Sequence, residues 1–264
     1  MIKLISIPSY FQQVTITLVF LTLISCQKKP IEIPSLRENV LAQLDSIQGD
    51  VAVAYINLDD PSDTLMIHAS EEFHAASTMK VPVMIELYKQ QEEGKLDLND
   101  SIVLVNEFKS IVDGSPYSMD IGDDSDDVIY SKIGTTVSLK DLTYSMITVS
   151  SNLATNVLIE LVDAKNVTAT MRTLGADKIE VLRGVEDQKA YDLGLSNSTT
   201  ANDLMRIMKA IAENQAGTPG DCEEMISILK DQQFNEIIPF YLPKEVSVSH
   251  KTGSITGVHH DAGI

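Results

Sequence analysis

From Leu153 to Val162 the chain is apolar almost all round, interrupted only by Thr155, Asn156 and Glu160. A helix with no broad polar face cannot rest on a surface and normally runs through the middle of a bundle. The rest of the chain must therefore supply helices to enclose it, and several segments have the required period. Thr78 to about Gly94 places Met79, Val83, Met84 and Leu87 on an apolar face, with Pro82 predicting a kink or an irregular first turn. Ser138-Leu139-Lys140-Asp141 is a capping signal, and Leu142, Met146 and Ile147 carry that helix into Ser150-Ser151-Asn152. Two more helices are expected, from Ala201 to Glu213 with Leu204, Ile207, Met208 and Ile211 on one face, and from Cys222 to Lys230.

The two ends have a different pattern. Ser35-Leu36-Arg37-Glu38 reads as a capping box for a helix whose Leu36, Val40, Leu41 and Leu44 share one face. Val51–Ile56 and Leu65–Ala69 follow as strands about the turn Asp59-Asp60-Pro61, and near the other end Val246–His250 alternates as a strand before Gly257 turns the chain into another. Strands at both ends around a helical middle predict an α/β (α+β) fold. It is a discontinuous α/β domain, its antiparallel sheet drawn from both chain ends (35–76 and 246–264), with a mainly α part (77–245) inserted. Between Asp113 and Asp127 lie six aspartates and no lysine or arginine, a stretch that reads as a solvated loop.

Charge narrows the partners. With 20 basic against 38 acidic residues the formal charge is −18, which repels nucleic acid and leaves no counterion-release contribution to binding it. An acidic protein that handles an anionic small molecule must gather its few cations locally, so single lysines become informative. The first residues stand apart: Lys3 gives a thin positive start, Val14–Ile24 an apolar run too short to span a bilayer comfortably, and Leu23-Ile24-Ser25-Cys26 ends it. That tetrapeptide resembles the bacterial lipobox, which implies a signal peptide over 1–26, a lipid on the Cys26 thiol, a short tether over 27–34, and a periplasmic protein anchored to a membrane. Cys222, the only other cysteine, then has no intrachain partner, and no disulfide is expected.

Three short motifs carry chemistry. In Ser77-Thr78-Met79-Lys80 the i, i+3 spacing puts a hydroxyl and an ammonium on one helical face, where a partly desolvated lysine can take the serine proton beside the free N–H groups of a helix start. Ser150-Ser151-Asn152 offers a hydroxyl and a carboxamide at the head of the apolar helix. Lys251-Thr252-Gly253 closes a predicted strand. Singly these are an N-cap, a helix cap and a sheet-edge lysine.

In this order and spacing, the second motif 73 and the third 174 residues after Ser77, they resemble the class A β-lactamase and penicillin-binding-protein superfamily. The resemblance covers roughly Ser35 to Ile264. It implies a serine hydrolase that opens a β-lactam ring through an acyl-enzyme, or a D-Ala-D-Ala peptidase, or a non-catalytic cell-wall-binding lipoprotein on the same scaffold. It further implies Ser77 as nucleophile, Lys80 as its activator, Ser150 as proton relay and Asn152 as a ligand for the substrate amide. Lys251 and Thr252 hold the substrate carboxylate, and Gly253 completes that motif. The N–H groups of Ser77 and Ser254 form the oxyanion hole. No cofactor or metal is implied, and the protein is expected to be a monomer with a β-lactam or cell-wall peptide as substrate.

Three departures stand out. Ser151 occupies the place where the family's middle motif usually has aspartate. The family's Arg-x-Glu-Pro loop is represented by Arg183-Gly184-Val185-Glu186-Asp187, which shifts the acid by one residue, lacks the proline, and puts Ala190 where an asparagine helps hold the hydrolytic water. Glu186 is the expected base for deacylation. Finally, relatives continue beyond Ile264 through a further strand and helix, so the expectation is a fragment with an unfilled place in its sheet. His259-His260-Asp261 invites a metal reading, but neighbours in a strand face opposite ways, and the role expected of it is a rim to the substrate pocket near Lys251.

Overall fold

The structure, a computed structural model, describes residues 33–264; Cys26, the lipobox and residues 27–32 of the expected tether over 27–34 lie outside them. The chain opens with α1 (Ile33–Leu44), β1 (Val53–Ile56), β2 (Thr64–Ile67) and β3 (Phe73–His74), then passes through a 3₁₀ turn (Ala76–Met79) into α2 (Lys80–Glu92). Short strands and helices follow: β4 (Ser101–Val103), β5 (Phe108–Lys109), β6 (Pro116–Tyr117), α3 (Asp127–Tyr130) and β7 (Thr136–Ser138). The helical middle comprises α4 (Leu139–Thr148), α5 (Asn152–Val162), α6 (Ala164–Thr173) and, beyond a long loop, α7 (Gln188–Asp192). Then come β8 (Ser198–Thr199), α8 (Ala201–Ala212), α9 (Pro219–Lys230), β9 (His250–Ile255) and β10 (Val258–Gly263).

The apolar segment is the central helix its pattern requires. Along α5, Leu153, Ala154, Val157, Leu158, Ile159 and Val162 are all buried, and the helix packs against α2, α4 and α6. Ser138 caps α4 by accepting from the Asp141 amide at 3.0 Å, and Leu142, Met146 and Ile147 are buried behind it. Leu204, Ile207, Met208 and Ile211 form the buried face of α8. Pro82 lies in the first turn of α2, which continues to Glu92, and the irregularity sits before it, in the 3₁₀ turn that carries Ser77.

Antiparallel strands come from both ends, β1 with β2 and β9 with β10. These are separate two-stranded sheets, and α8 packs across both β1 and β10. Four local expectations are corrected. The helix α1 starts at Ile33, so Ser35 lies inside its first turn and is not its cap. α9 starts at Pro219, three residues earlier than its apolar period suggests, because Thr218 and Asp221 form a reciprocal capping box ahead of a proline suited to the first turn. The strand expected over Val246–His250 begins only at His250. Val246 is exposed and folded into a turn on Pro243, and Ser249 is the first residue to pair, exchanging bonds with Ile264 at 3.0 and 2.8 Å. The Lys251-Thr252-Gly253 motif therefore opens the strand and does not end it.

The aspartate-rich stretch is the fourth. Asp113, Asp120, Asp123 and Asp127 are exposed as expected, but Asp124 and Asp126 are half-buried and bonded. Asp126 caps α3 through the Ile129 amide at 3.2 Å and accepts from the Ser145 hydroxyl on α4.

Candidate active site

The 3₁₀ turn, the α4–α5 junction and β9 converge on one cleft of about 640 Å³, lined among others by Ser77, Ser150, Asn152, Glu186, Thr252 and Ser254. Lys80 and Lys251 lie behind this wall with no exposed surface. Two cations are thereby removed from water, and each is held by oxygens. The Lys80 ammonium donates to the Ser150 carbonyl at 2.7 Å, the Asn152 Oδ1 at 2.9 Å and the Ser150 hydroxyl at 3.1 Å. Lys251 donates to the same hydroxyl at 3.1 Å and to the Thr252 carbonyl at 2.8 Å. Ser150 Oγ is thus the meeting point of both lysines.

Burial disfavours the charged form of each lysine. It lowers Lys80 to about 7, against the opposing pull of the Asp124 and Glu186 carboxylates. Lys251 is also lowered well below the ordinary lysine value, by burial and by the neighbouring Lys80 charge, with Asp261 acting the other way. A lysine poised near neutrality can receive a proton from a neighbouring hydroxyl.

The backbone is shaped for this contact. Ser150 sits at φ +60° and Ala76, just before Ser77, at φ +46°, both in the left-handed region that residues with a side chain seldom occupy. Such positions cost of order 1–3 kcal/mol and persist where the surroundings fix them, as the two lysines do for Ser150. Gly253 is required for a different reason: a Cβ there would stand 3.0 Å from the Thr78 amide nitrogen and 3.1 Å from that of Ser77. Only a bare backbone lets β9 approach the turn that carries Ser77. Ser77 is half-buried at the cleft wall, and Ser254 is exposed, its hydroxyl 3.0 Å from Nδ1 of His259.

The loop from Arg183 to Asp187 forms a second wall of the cleft. Glu186 is exposed to the cleft, at φ +61°. Its neighbours are the anchored residues. Asn156 accepts from the Val185 amide at 2.6 Å and donates to the Val185 carbonyl at 3.0 Å. Buried Asp187 accepts from the Ser110 hydroxyl (2.8 Å), the Ile111 amide (2.9 Å) and the Ala190 amide (3.2 Å). Arg183 donates from Nε to the Leu195 carbonyl at 2.8 Å. Asn156 was not singled out from the sequence, although it lies four residues after Asn152 and so on the same face of α5. Asp187, adjacent to the expected base, is a structural anchor.

His259 and His260 both border the cleft, as their place after Lys251 suggests. His260 Nε2 is 2.8 Å from the His74 carbonyl, and Asp261 turns inward to His250 at 2.8 Å.

Solved structures similar to this chain include β-lactamases and PBP-A. The β-lactamase from Sphaerobacter thermophilus DSM 20745 superposes with a TM-score of 0.71 at 27% identity, over 86% of this chain and 81% of that one. An acyl-enzyme complex of the PBP-A L158E mutant with penicillin G gives 0.72 at 23% identity, over 88% and 81%, and the TLA-1 extended-spectrum β-lactamase gives 0.73 at 18%, over 87% and 83%. No curated protein matches. The class defined by this fold is the β-lactamase-like serine hydrolases. Residues 35–264 match the model of the β-lactamase enzyme family, and the chain belongs to that family.

Proposed function

We propose that the protein opens β-lactam rings through an acyl-enzyme on Ser77, and the observation that carries this reading is the convergence of two buried lysines on Ser150 Oγ, in the cleft that Ser77 also lines. Neutral Lys80 takes the Ser77 proton as Oγ bonds to the lactam carbonyl carbon. The C–N bond then breaks, and the departing nitrogen receives the Ser150 hydroxyl proton, which the lysines on Ser150 replace. The Ser77 and Ser254 N–H groups receive the oxyanion, in keeping with the closeness of β9 to the turn. Asn152 takes the substrate amide, and Thr252, which lines the cleft in front of the buried Lys251, takes its carboxylate. Water then attacks the ester with Glu186 as base.

A second reading has its own support. Glu186 is exposed on a left-handed residue and the loop lacks the family's proline, so the same machinery with a poorly held base would leave a long-lived adduct, as in a D-Ala-D-Ala peptidase. Intact mass after brief exposure to penicillin, beside hydrolysis of a chromogenic cephalosporin, separates them. A transient adduct with turnover supports the β-lactamase. A stable adduct without turnover supports the peptidase. No adduct at all leaves only a wall-binding lipoprotein. We also propose a lipid-anchored, periplasmic, monomeric protein. Labelled palmitate should enter the wild type and be absent from Cys26→Ser.

A further inference from the structure

We propose that Asp124 is a positioning residue of this site: its carboxylate, reaching over from the aspartate-rich loop, holds the first turn of α5 and thereby the Asn152 carboxamide that receives the Lys80 ammonium. The middle motif has Ser151 where relatives usually carry aspartate, and Ser151 satisfies only the Ala154 amide, at 3.3 Å. The two preceding amides of the helix both donate to Asp124. The Asn152 nitrogen is 2.9 and 3.0 Å from its two oxygens, and the Leu153 nitrogen is 2.8 Å from Oδ2. A carboxylate at a helix start also complements the positive end of the helix dipole.

The same segment orients the side chain. The Asp123 carbonyl accepts from Asn152 Nδ2 at 3.3 Å, which leaves Oδ1 for Lys80 at 2.9 Å. Asp124 is itself fixed, receiving the Asp126 amide at 3.1 Å and the Tyr130 hydroxyl at 3.0 Å. The charges bearing on Lys80 are Asp124 from this loop, Glu186 from the Arg183–Asp187 loop and Lys251 from β9. Asp124 contributes the largest opposition to the burial that drives Lys80 neutral.

The kinetic half of this inference rests on Lys80 activating Ser77, so the test has two readouts on the whole protein. The first is the Lys80 titration midpoint, followed by NMR of side-chain-labelled lysine. The second is the pH at which the rate of acylation by penicillin rises. In Asp124→Asn the midpoint should fall by about one pH unit, the size expected when an opposite charge close to an ammonium is removed. The rising limb of acylation should move down with it, and Asp124→Glu, which keeps the charge, should restore both. Asp124→Ala, which leaves room for water at the two amides, serves if Asp124→Asn does not fold. An unmoved midpoint in either folded neutral variant overturns the proposal. A midpoint that falls while the acylation limb stays in place upholds Asp124 and overturns Lys80 as the base.

Discussion

The two walls of the cleft are built differently. On one, Lys80, Ser150, Asn152 and Lys251 are buried or bonded to one another, and both lysines end on a single hydroxyl. On the other, Glu186 stands exposed between two anchored neighbours, Val185 on Asn156 and Asp187 on Ser110. A group whose partners are fixed by burial has one geometry. A group held only by its flanking backbone is placed by the loop and can be re-aimed by small changes in it. The first step of the proposed reaction therefore rests on the rigid wall and the second on the adjustable one.

The largest expected effect falls on the rigid wall. Ser77→Ala should abolish covalent labelling by β-lactams and leave the melting temperature nearly unchanged, since it removes one half-buried hydroxyl. Labelling that persists would falsify Ser77 as nucleophile. On the other wall Glu186→Gln should acylate normally but hydrolyse the adduct about 10²- to 10⁴-fold more slowly, the usual cost of losing a general base. Single-turnover mass spectrometry would show the adduct accumulating, and unchanged turnover would remove Glu186 from the mechanism.

The same contrast separates what was legible in the sequence from what was not. The motifs bring together residues from distant segments that the fold gathers at one place, so Ser77, Lys80, Ser150, Asn152, Thr252 and Lys251 could all be named in advance. The central helix was legible because an apolar residue on every face admits no other position. Asp124 and Asp126 were hidden, because a run of acids looks the same whether water or a helix start receives it. Which of them turns inward depends on a second 3₁₀ turn, Ile121–Asp123, and on α3, and on the amides of α5 and the Ser145 hydroxyl. Asn156 was hidden by its apolar surroundings, and Asp187 by its place beside a better-matched acid. The start of β9 was misplaced because alternation alone does not say whether a partner strand is present.

The lowered lysines give the rigid wall a pH signature. If neutral Lys80 takes the Ser77 proton, acylation should rise about tenfold per unit below neutrality and level off above about 7. Stability follows from the same shift. Between about 7 and the ordinary lysine value of 10.5 the unfolded chain binds a proton at Lys80 that the folded chain does not, so this group's contribution to stability increases with rising pH. Below about 7 both states are protonated and the contribution is constant. Lys251, shifted in the same direction, adds to the trend. Denaturant titrations between pH 7.5 and 9.5, compared with those of Lys80→Met, should show a shallower slope in the variant. Equal slopes would mean that Lys80 is charged in the folded protein.

The smallest effect tests whether the loop alone aims Glu186. Gly184 lies directly over Asn156, and a Cβ there would stand 2.3 Å from the Asn156 Oδ1, the atom that receives the Val185 amide. That oxygen belongs to a buried side chain held at both ends, so the backbone must give way instead. Gly184→Ala should cost about 1–3 kcal/mol of stability, as overpacking a tight site does. It should also displace Val185 and Glu186 together, while Ser150 and the two lysines, bonded from the other wall, stay in place. Acylation rates should then be near wild type and deacylation slower, with an effect smaller than that of Glu186→Gln because the carboxylate is moved and not removed. Stopped-flow measurement of both steps on one preparation decides the matter. Equal slowing of acylation would show that the two walls move as one body.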